Sequence, residues 1–600
     1  MAFKIKLTSS LEKVFPDQSP DSGSDSLTML KGDCASFQLA ICPLFEGLQT
    51  SVEIKINTDF PGVLRLYQVE MIPSMRPVGD TRDGYYLSAE MGLYPDLLRP
   101  LENIRTAFGS YTSRLRLRTG MWTSIWVEAM MPAETQVMAE TQALVSAETQ
   151  VPAKKQVPAG KYPVTFSVSA PDFNEESASA ALQLEIMDAI LPAQELVVTE
   201  WFHGDCVADY YHVPVFSEAH WTYMRKQISM AVSYGQNMIL TPLFTPPLDT
   251  AVGGERTTIQ RVDVYQKISS DGTVTWHFGF KKLERWVRMC QECGITWFEM
   301  SHLFTQWGAA ACPKVMAEVE EEGRLNCPGE SEGNDRKKRI FGWETDSLSD
   351  AWQEFLADFL PALTEELIRL EIEQHTVFHL SDEPSEGALP RYRELKSRLE
   401  PFLAGEPIID ALSSSPFFDE GVCRTPIIAT DALSPFLTGD RPDALWVYYC
   451  CAQGYKVSNR FFGLPSARNR ILGVQLYLYQ VKGFLHWGYN FYNAGLSTHA
   501  ITPFLNTDAD GFFPSGDAFM VYPGENGEPY PSLRLAVFRE ALQDMRALLL
   551  LESLTDREHV TAMILEEAGC EITFSEYPHG EDFLLRLRER VNREIEERVV

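Results

Sequence analysis

The sequence predicts a multidomain β plus α/β protein: an N-terminal β-sandwich followed by a (β/α)8 barrel and a small C-terminal helical piece. Three observations predict it. Residues 1–190 are short segments of alternating apolar and polar residues, separated by Gly, Pro, Asp and Ser. From about residue 195, eight short apolar runs alternate with helical stretches, the mark of a parallel sheet wrapped by helices. Past residue 555 a short helical segment closes the chain. The boundaries read as 1–192, 193–555 and 556–600.

The N-terminal stretch MAFKIKLTSSLEKVFPD alternates and lacks the roughly 7–15-residue apolar core of a signal peptide, so it reads as a first strand. Residues 51–57 (SVEIKIN), 112–118 (TSRLRLR), 124–130 (SIWVEAM) and 182–186 (LQLEI) read as further sandwich strands. AETQ recurs at 133–136, 139–142 and 147–150, with AKKQ at 153–156. Pro152 and Pro158 break any helix there, which predicts an expanded repeat in a hairpin loop. The barrel runs are 197–205, 238–246, 295–303, 376–384, 407–413, 426–432, 444–451 and 483–492.

One helix carries Trp221, Met224, Ile228 and Val232 on a face and ends at Gly235. Another carries Trp352, Phe355, Leu356, Phe359, Leu363 and Leu367, with Ser347 and Asp350 spaced as a capping box. The connections after the fifth and sixth runs are too short for full helices, so the barrel should be irregular there. Residues 314–345, with EVEEEG and GESEGNDRKKR, read as a solvated loop. A turn-rich stretch (506–529), an amphipathic helix (532–551) and a charged helix (582–600) complete the chain.

With 52 basic against 83 acidic residues among 600, the net charge is −31, which argues against nucleic acid and anionic membranes as partners. No apolar run approaches the roughly 18 residues of a membrane span. The eleven cysteines form no framework, and the Cys290–Cys293 pair has no second pair to complete a zinc site. The reading is a reduced, cytoplasmic protein with buried thiols; a homo-oligomer stays open. No cofactor is expected. No metal is expected either, since His302, His379 and His486 lack ligand spacing.

In such a barrel the catalytic groups sit where strands end. Those ends hold His203 and Asp205, Ser301 and His302, Asp382 and Glu383, Tyr448 and Tyr449, and Trp487, Tyr489 and Asn490. Aromatic faces among amides and carboxylates suit a sugar. Adjacent Asp382 and Glu383 cannot both ionise freely in a partly desolvated pocket, so one becomes a proton donor. That requires the strand to end or bulge at Asp382, where Pro384 helps; otherwise DEP is an ordinary helix start. The seventh run closes without a second carboxylate, which leaves the nucleophile to a substrate 2-acetamido group. Asp205, Asp410 or Asp431 would be the bases of an inverting alternative.

HLSDEP (379–384), GFLHWGYNFY (483–492) and GDAFMVYPGENGEPYPSLRLAVFREALQD (516–544) resemble the glycoside hydrolase family 123 catalytic domain. ECGITWFEMSHLFTQWGA (292–309) and GLYPDLLRPL (92–101) extend the resemblance over about residues 30–550. It implies a β-sandwich joined to a barrel and a retaining exo-β-N-acetylgalactosaminidase working through an oxazolinium ion. Glu383 would be the acid and Asp382 the partner of the acetamido group. Trp487, Tyr489 and Asn490 would contact the sugar, and Tyr448 or Tyr449 the acetamido oxygen, unless these rings only fill the barrel. His302, Trp307 and Asp205 are further pocket candidates. Arg470 and Arg534 read as buried ion pairs. The implied partner is a small glycan or glycoside with terminal β-linked GalNAc. A glucosaminidase, a dual hexosaminidase and a non-catalytic glycan-binding barrel are the alternatives.

Overall fold

The computed structural model describes residues 2–599 except 22, 24, 103, 108–109, 132–157, 173–176, 323–336, 404, 406 and 439–440. Eleven strands come first: Phe3–Ser9 (β1), Ser26–Lys31 (β2), Cys34–Pro43 (β3), Gln49–Thr58 (β4), Val63–Ser74 (β5), Gly92–Pro100 (β6), Ile104–Ala107 (β7), Ser110–Arg118 (β8), Thr123–Met130 (β9), Gly160–Ser169 (β10) and Ser177–Ile190 (β11). A five-stranded sheet, β1-β3-β9-β5-β6, faces a six-stranded one, β2-β11-β10-β4-β8-β7. Inward side chains such as Phe37, Leu39 and Ile41 of β3 meet Val164, Phe166 and Val168 of β10 between them. The four sandwich segments expected at 51–57, 112–118, 124–130 and 182–186 fall within β4, β8, β9 and β11. The AETQ repeat lies outside the described residues.

The barrel part then runs Val197–Glu200 (β12), Gly204–Tyr211 (α1), Glu218–Ser233 (α2), Met238–Thr241 (β13), Asp263–Ile268 (β14), Val274–Gly279 (β15), Lys281–Cys293 (α3), Trp297–Met300 (β16), Val315–Glu321 (β17), Lys337–Phe341 (β18), Asp350–Arg369 (α4) and Thr376–Phe378 (β19). It continues Leu389–Leu399 (α5), Ile409–Leu412 (β20), Pro416–Asp419 (α6), Thr425–Ala429 (β21), Leu433–Leu437 (α7), Trp446–Tyr448 (β22), Ser466–Arg470 (α8), Leu472–Leu478 (α9) and Gly483–His486 (β23). The hairpin Val521–Pro523 (β24) and Pro529–Pro531 (β25) leads to Leu533–Leu554 (α10), Arg557–Ala568 (α11) and Glu581–Val599 (α12).

All eight apolar runs become strands of one parallel sheet, ordered β19-β16-β13-β12-β23-β22-β21-β20. The two edge strands approach through a parallel bridge, Phe378 to Ile408, so the sheet is a nearly closed barrel. Each strand is buried on both faces, so its sequence is mostly apolar, and the polar residues it carries, Glu200, Glu299, Asp410 and His486 among them, are buried. Met238, Leu240, Val377, Ile409, Ile427 and Trp446 fill the interior. Ile239, Phe298, Phe378, Ile428 and Val447 pack against the surrounding helices. On the side of the fifth and sixth strands only α6 and α7 intervene, four and five residues long.

Three expectations are corrected. Residues 314–345 are not simply a solvated loop: β17 and β18 join β14 and β15 in a four-stranded sheet. Its residues are mostly half-buried or exposed, so no apolar pattern announced it. The capping box fails, because α4 starts after Ser349 and the Ser347 hydroxyl accepts from Arg391 instead. The helix α10 is not amphipathic. It is buried on nearly every side, Arg534, Arg539, Glu540 and Asp544 included. No described helix is long and apolar enough to cross a membrane.

Candidate active site

β19 stops at Phe378, and His379-Leu380-Ser381-Asp382-Glu383 continues beyond it as irregular backbone. Each step of that segment is tied. His379 places its imidazole between Glu299 (Nε2 to Oε1, 2.5 Å) and Asp410 (Nδ1 to Oδ1, 3.1 Å). The Leu380 N–H donates to Asp410 (3.1 Å), Ser381 Oγ donates to the Thr305 carbonyl (2.9 Å), and the Trp307 N–H donates to the Asp382 carbonyl (2.8 Å). Glu383 then adopts φ 41°. That left-handed turn is costly for a non-glycine residue and runs against the extended bias of a residue preceding proline. It breaks the strand alternation that would have sent Asp382 and Glu383 to opposite faces. From β22, the Tyr448 hydroxyl donates to Glu383 Oε1 at 2.7 Å.

Burial sets the electrostatics. It holds the Asp382 carboxyl well above the usual carboxylate range, helped by the charges of Glu383 and Asp249 and opposed by His379. Glu383 is also raised by burial, against the hydrogen bond from Tyr448, with Asp431 adding repulsion. The two titrate as a pair that retains a proton a surface pair would lose. Burial, overcome by hydrogen bonds to Asp410 and Glu299, leaves His379 raised to about 10, an imidazolium under the pair. Two further carboxyls belong to the site, and sequence reading missed both. Burial raises Asp249 to about 6 and Asp517 to about 7.

The other candidates divide. Trp307, at φ 63°, leaves its indole half exposed beside Asp382. Trp487 donates its Nε1–H to Asp517 (2.9 Å) and packs on Phe513. His302 is buried beneath, stacked on His379 at 4.3 Å, and neither ring nitrogen has a hydrogen-bond partner among the described residues. Its imidazole is kept neutral by burial and by the charge of His379. Four residues do not face the carboxylates. Tyr449 packs on Phe484 and His486. Tyr489 sends its hydroxyl to the Gln227 carbonyl of α2 (2.9 Å). Asn490 is saturated by the His203 N–H (2.7 Å) and Gln227 (2.8 Å). Asp205 is locked to Arg256 (2.5 Å), which also donates to His203 Nδ1 (2.8 Å).

Two of the alternative bases are likewise accounted for. Asp410 is wholly buried against His379 and the Tyr392 hydroxyl. Asp431 is exposed and accepts from Gln453 at 3.0 Å. Arg470 pairs with Glu540 and Asp544, and Arg534 with Asp96, as ion pairs.

Among the described residues, one group could gather ligand atoms for a metal: His302, His379 and Asp410, within 4.8 Å of one another. Its central imidazole already has both nitrogens on carboxylates, and its proton does the work a cation would do there. Away from the site, a cleft of about 1440 Å³ opens where Phe15, Tyr94 and Trp122 meet His579, and none of the strand-end residues line it. The signals for the two missed carboxyls were positional: Asp249 follows the second run by three residues, and Asp517 sits at the start of the 516–544 stretch.

A family model described as the glycoside hydrolase 123 catalytic domain matches residues 201–551. Among solved structures the chain is similar to a family 123 glycoside hydrolase from Clostridium perfringens, described in connection with glycolipid glycan hydrolysis. The TM-score is 0.68 at 14% identity, covering 99% of this chain and 98% of that one. At that identity the likeness concerns the fold. A DUF4466 family protein from Parabacteroides merdae matches over 31% of this chain and 45% of its own, at 13% identity and a TM-score of 0.17, too low to carry an argument. No curated protein matches the chain.

Proposed function

The chain belongs to the glycoside hydrolase 123 family, and from that premise we propose that it is a retaining exo-β-N-acetylgalactosaminidase that uses the substrate's own acetamido group as nucleophile. The acetamido carbonyl oxygen attacks C1 and the aglycone oxygen leaves with the proton of Glu383. Burial alone favours the shared proton on Asp382, but an acetamido N–H donating to Asp382 favours its anion, and loss of the Tyr448 hydrogen bond favours the proton on Glu383; Asp382 then offsets the positive charge that grows on the oxazolinium ring. Water then attacks C1 from the vacated face and gives a proton to Glu383 as the C1–O bond of the oxazolinium breaks and the acetamide is restored, so two inversions leave the configuration unchanged. Tyr448 supports this scheme. In the free pocket its hydroxyl donates to Glu383; transferred to the acetamido oxygen, it would release Glu383 to hold its proton. The sugar stacks on Trp307, and residues 193–555 form the catalytic unit. The partner is a small glycan or glycoside with terminal β-linked GalNAc.

The observation that carries the reading is a half-buried Asp-Glu pair facing a strand that ends in Tyr448 and supplies no carboxylate. Rates on aryl β-GalNAc, β-GlcNAc and unacetylated β-galactoside, measured side by side, test it. The galactoside should be inert, the first product should keep the β configuration, and a thiazoline analogue should inhibit tightly. Glu383→Gln should lower turnover by about 10²–10⁴-fold on a disaccharide, and less on an activated aryl leaving group. Brisk cleavage of the galactoside, or an inverted first product, would end the reading.

A further inference from the structure

Asp249 has no part in the bond-breaking steps above, yet its loop is fixed from several sides. It lies beyond β13 at φ 46°, a conformation sparsely occupied by residues with a side chain. Its N–H donates to Gln306 Oε1, and its carbonyl accepts from Ser497 Oγ at 2.7 Å. The preceding Leu248 carbonyl accepts from Arg256 at 3.0 Å, and the Ala251 N–H donates to the Leu496 carbonyl at 3.1 Å. Gln306 is the neighbour of Trp307, whose N–H holds the Asp382 carbonyl. One short segment therefore ties the Asp249 loop and the Asp382 loop together.

All of this acts on backbone atoms. Among the described residues nothing donates to the Asp249 carboxylate, and its charge is felt by Asp382 and Asp517. The cation nearest to it in effect, Arg256, is committed to Asp205 and His203. A strained, clamped residue whose carboxylate lacks any protein donor is arranged for donors that arrive with a ligand. A pyranose supplies them as hydroxyl groups. Asp382 and Glu383 are engaged at C1 and the acetamido group, so the hydroxyls left for another carboxylate are those of the ring edge remote from C1.

Resting on the function proposed above, we infer that Asp249 is a specificity-determining residue that accepts hydrogen bonds from ring-edge hydroxyls of the terminal hexosamine. The test uses the full-length protein and aryl β-N-acetylhexosaminides lacking the 3-, 4- or 6-hydroxyl. Asp249→Ala should lower kcat/KM on the parent substrate about 10- to 150-fold, the range for a hydrogen bond to a charged acceptor. On the deoxy substrate that lacks the recognised hydroxyl, wild type and variant should be nearly equal. Asp249→Asn keeps both backbone clamps and should fold as the wild type does, while still losing part of the discrimination.

A loss below twofold on the parent substrate overturns the inference. So does an equal loss on all three deoxy substrates, which would mean that Asp249 acts through the fold or through the charge of Asp382. A wild type that cleaves no hexosaminide removes the reading on which the inference rests, and the inference with it. An active wild type beside an indifferent Asp249→Ala removes the inference alone.

Discussion

Charge around Glu383 decides when the pocket holds its proton. Asp431 is exposed and raises the Glu383 carboxyl from outside, whereas Tyr448 lowers it from within. Asp431→Asn removes a repulsion that favours the protonated acid, so the Glu383 pKa should fall. The alkaline limb of kcat/KM, which reports loss of the acid's proton from the free enzyme, should then move to lower pH. The maximal rate should change little, because Asp431 is bonded to Gln453 and not to the pair. A pH profile in which that limb stays in place or moves upward would remove Glu383 as the acid.

At the scale of elements, one alternation sorts two adjacent tyrosines. β22 turns Tyr448 into the barrel, towards Glu383, and Tyr449 outwards onto Phe484 and His486. The helices behind that strand are packed as closely as backbone permits. A Cβ on Gly473 of α9 would lie 1.9 Å from the Ala541 carbonyl oxygen of α10. Gly473→Ala must push α9 and α10 apart, and overpacking of that kind costs about 1–3 kcal/mol. The thermal midpoint should drop accordingly while the pH profile stays as it was. An unchanged midpoint would mean that the helices slide past each other freely.

Across the whole molecule, buried charges join the sandwich to the barrel. Glu128 of β9 accepts from Arg539 of α10 (2.6 Å), from the Tyr234 hydroxyl at the end of α2 (3.2 Å) and from Tyr67 of β5 (3.5 Å). Asp96 of β6 receives Arg534 of α10 (2.8 Å) and the Tyr522 hydroxyl (2.5 Å). Ser10 donates to Glu540 of α10 (2.8 Å). Such pairs contribute little net stability, but breaking one leaves an uncompensated charge, at a cost of about 3–5 kcal/mol. Glu128→Ala should lower the unfolding free energy by that amount, read as a lower denaturant midpoint, with turnover at 25 °C retained. Separate unfolding of the sandwich in the wild type would contradict this coupling.

The sequence by itself determined the order of elements, because local rules are enough for it. A strand covered on both faces is mostly apolar, and all eight barrel strands could be read from short apolar runs despite the occasional buried Glu299 or Asp410. Asp382 and Glu383 stood out in the sequence for a different reason: adjacent carboxyls at a strand end in front of proline are conspicuous in any fold. The sheet formed by β14, β15, β17 and β18 was not, since its exposed faces carry no periodic signal. Only the tertiary structure decided which polar side chains reach the pocket. Asn490 and Tyr489 resembled sugar ligands in sequence, but their hydrogen bonds are used up on His203 and Gln227. Asp205 is neutralised by an arginine fifty-one positions away. Asp249, in a loop without a motif, keeps its carboxylate without a donor. Whether a polar group is already satisfied depends on partners far apart in the chain, and no local pattern encodes that.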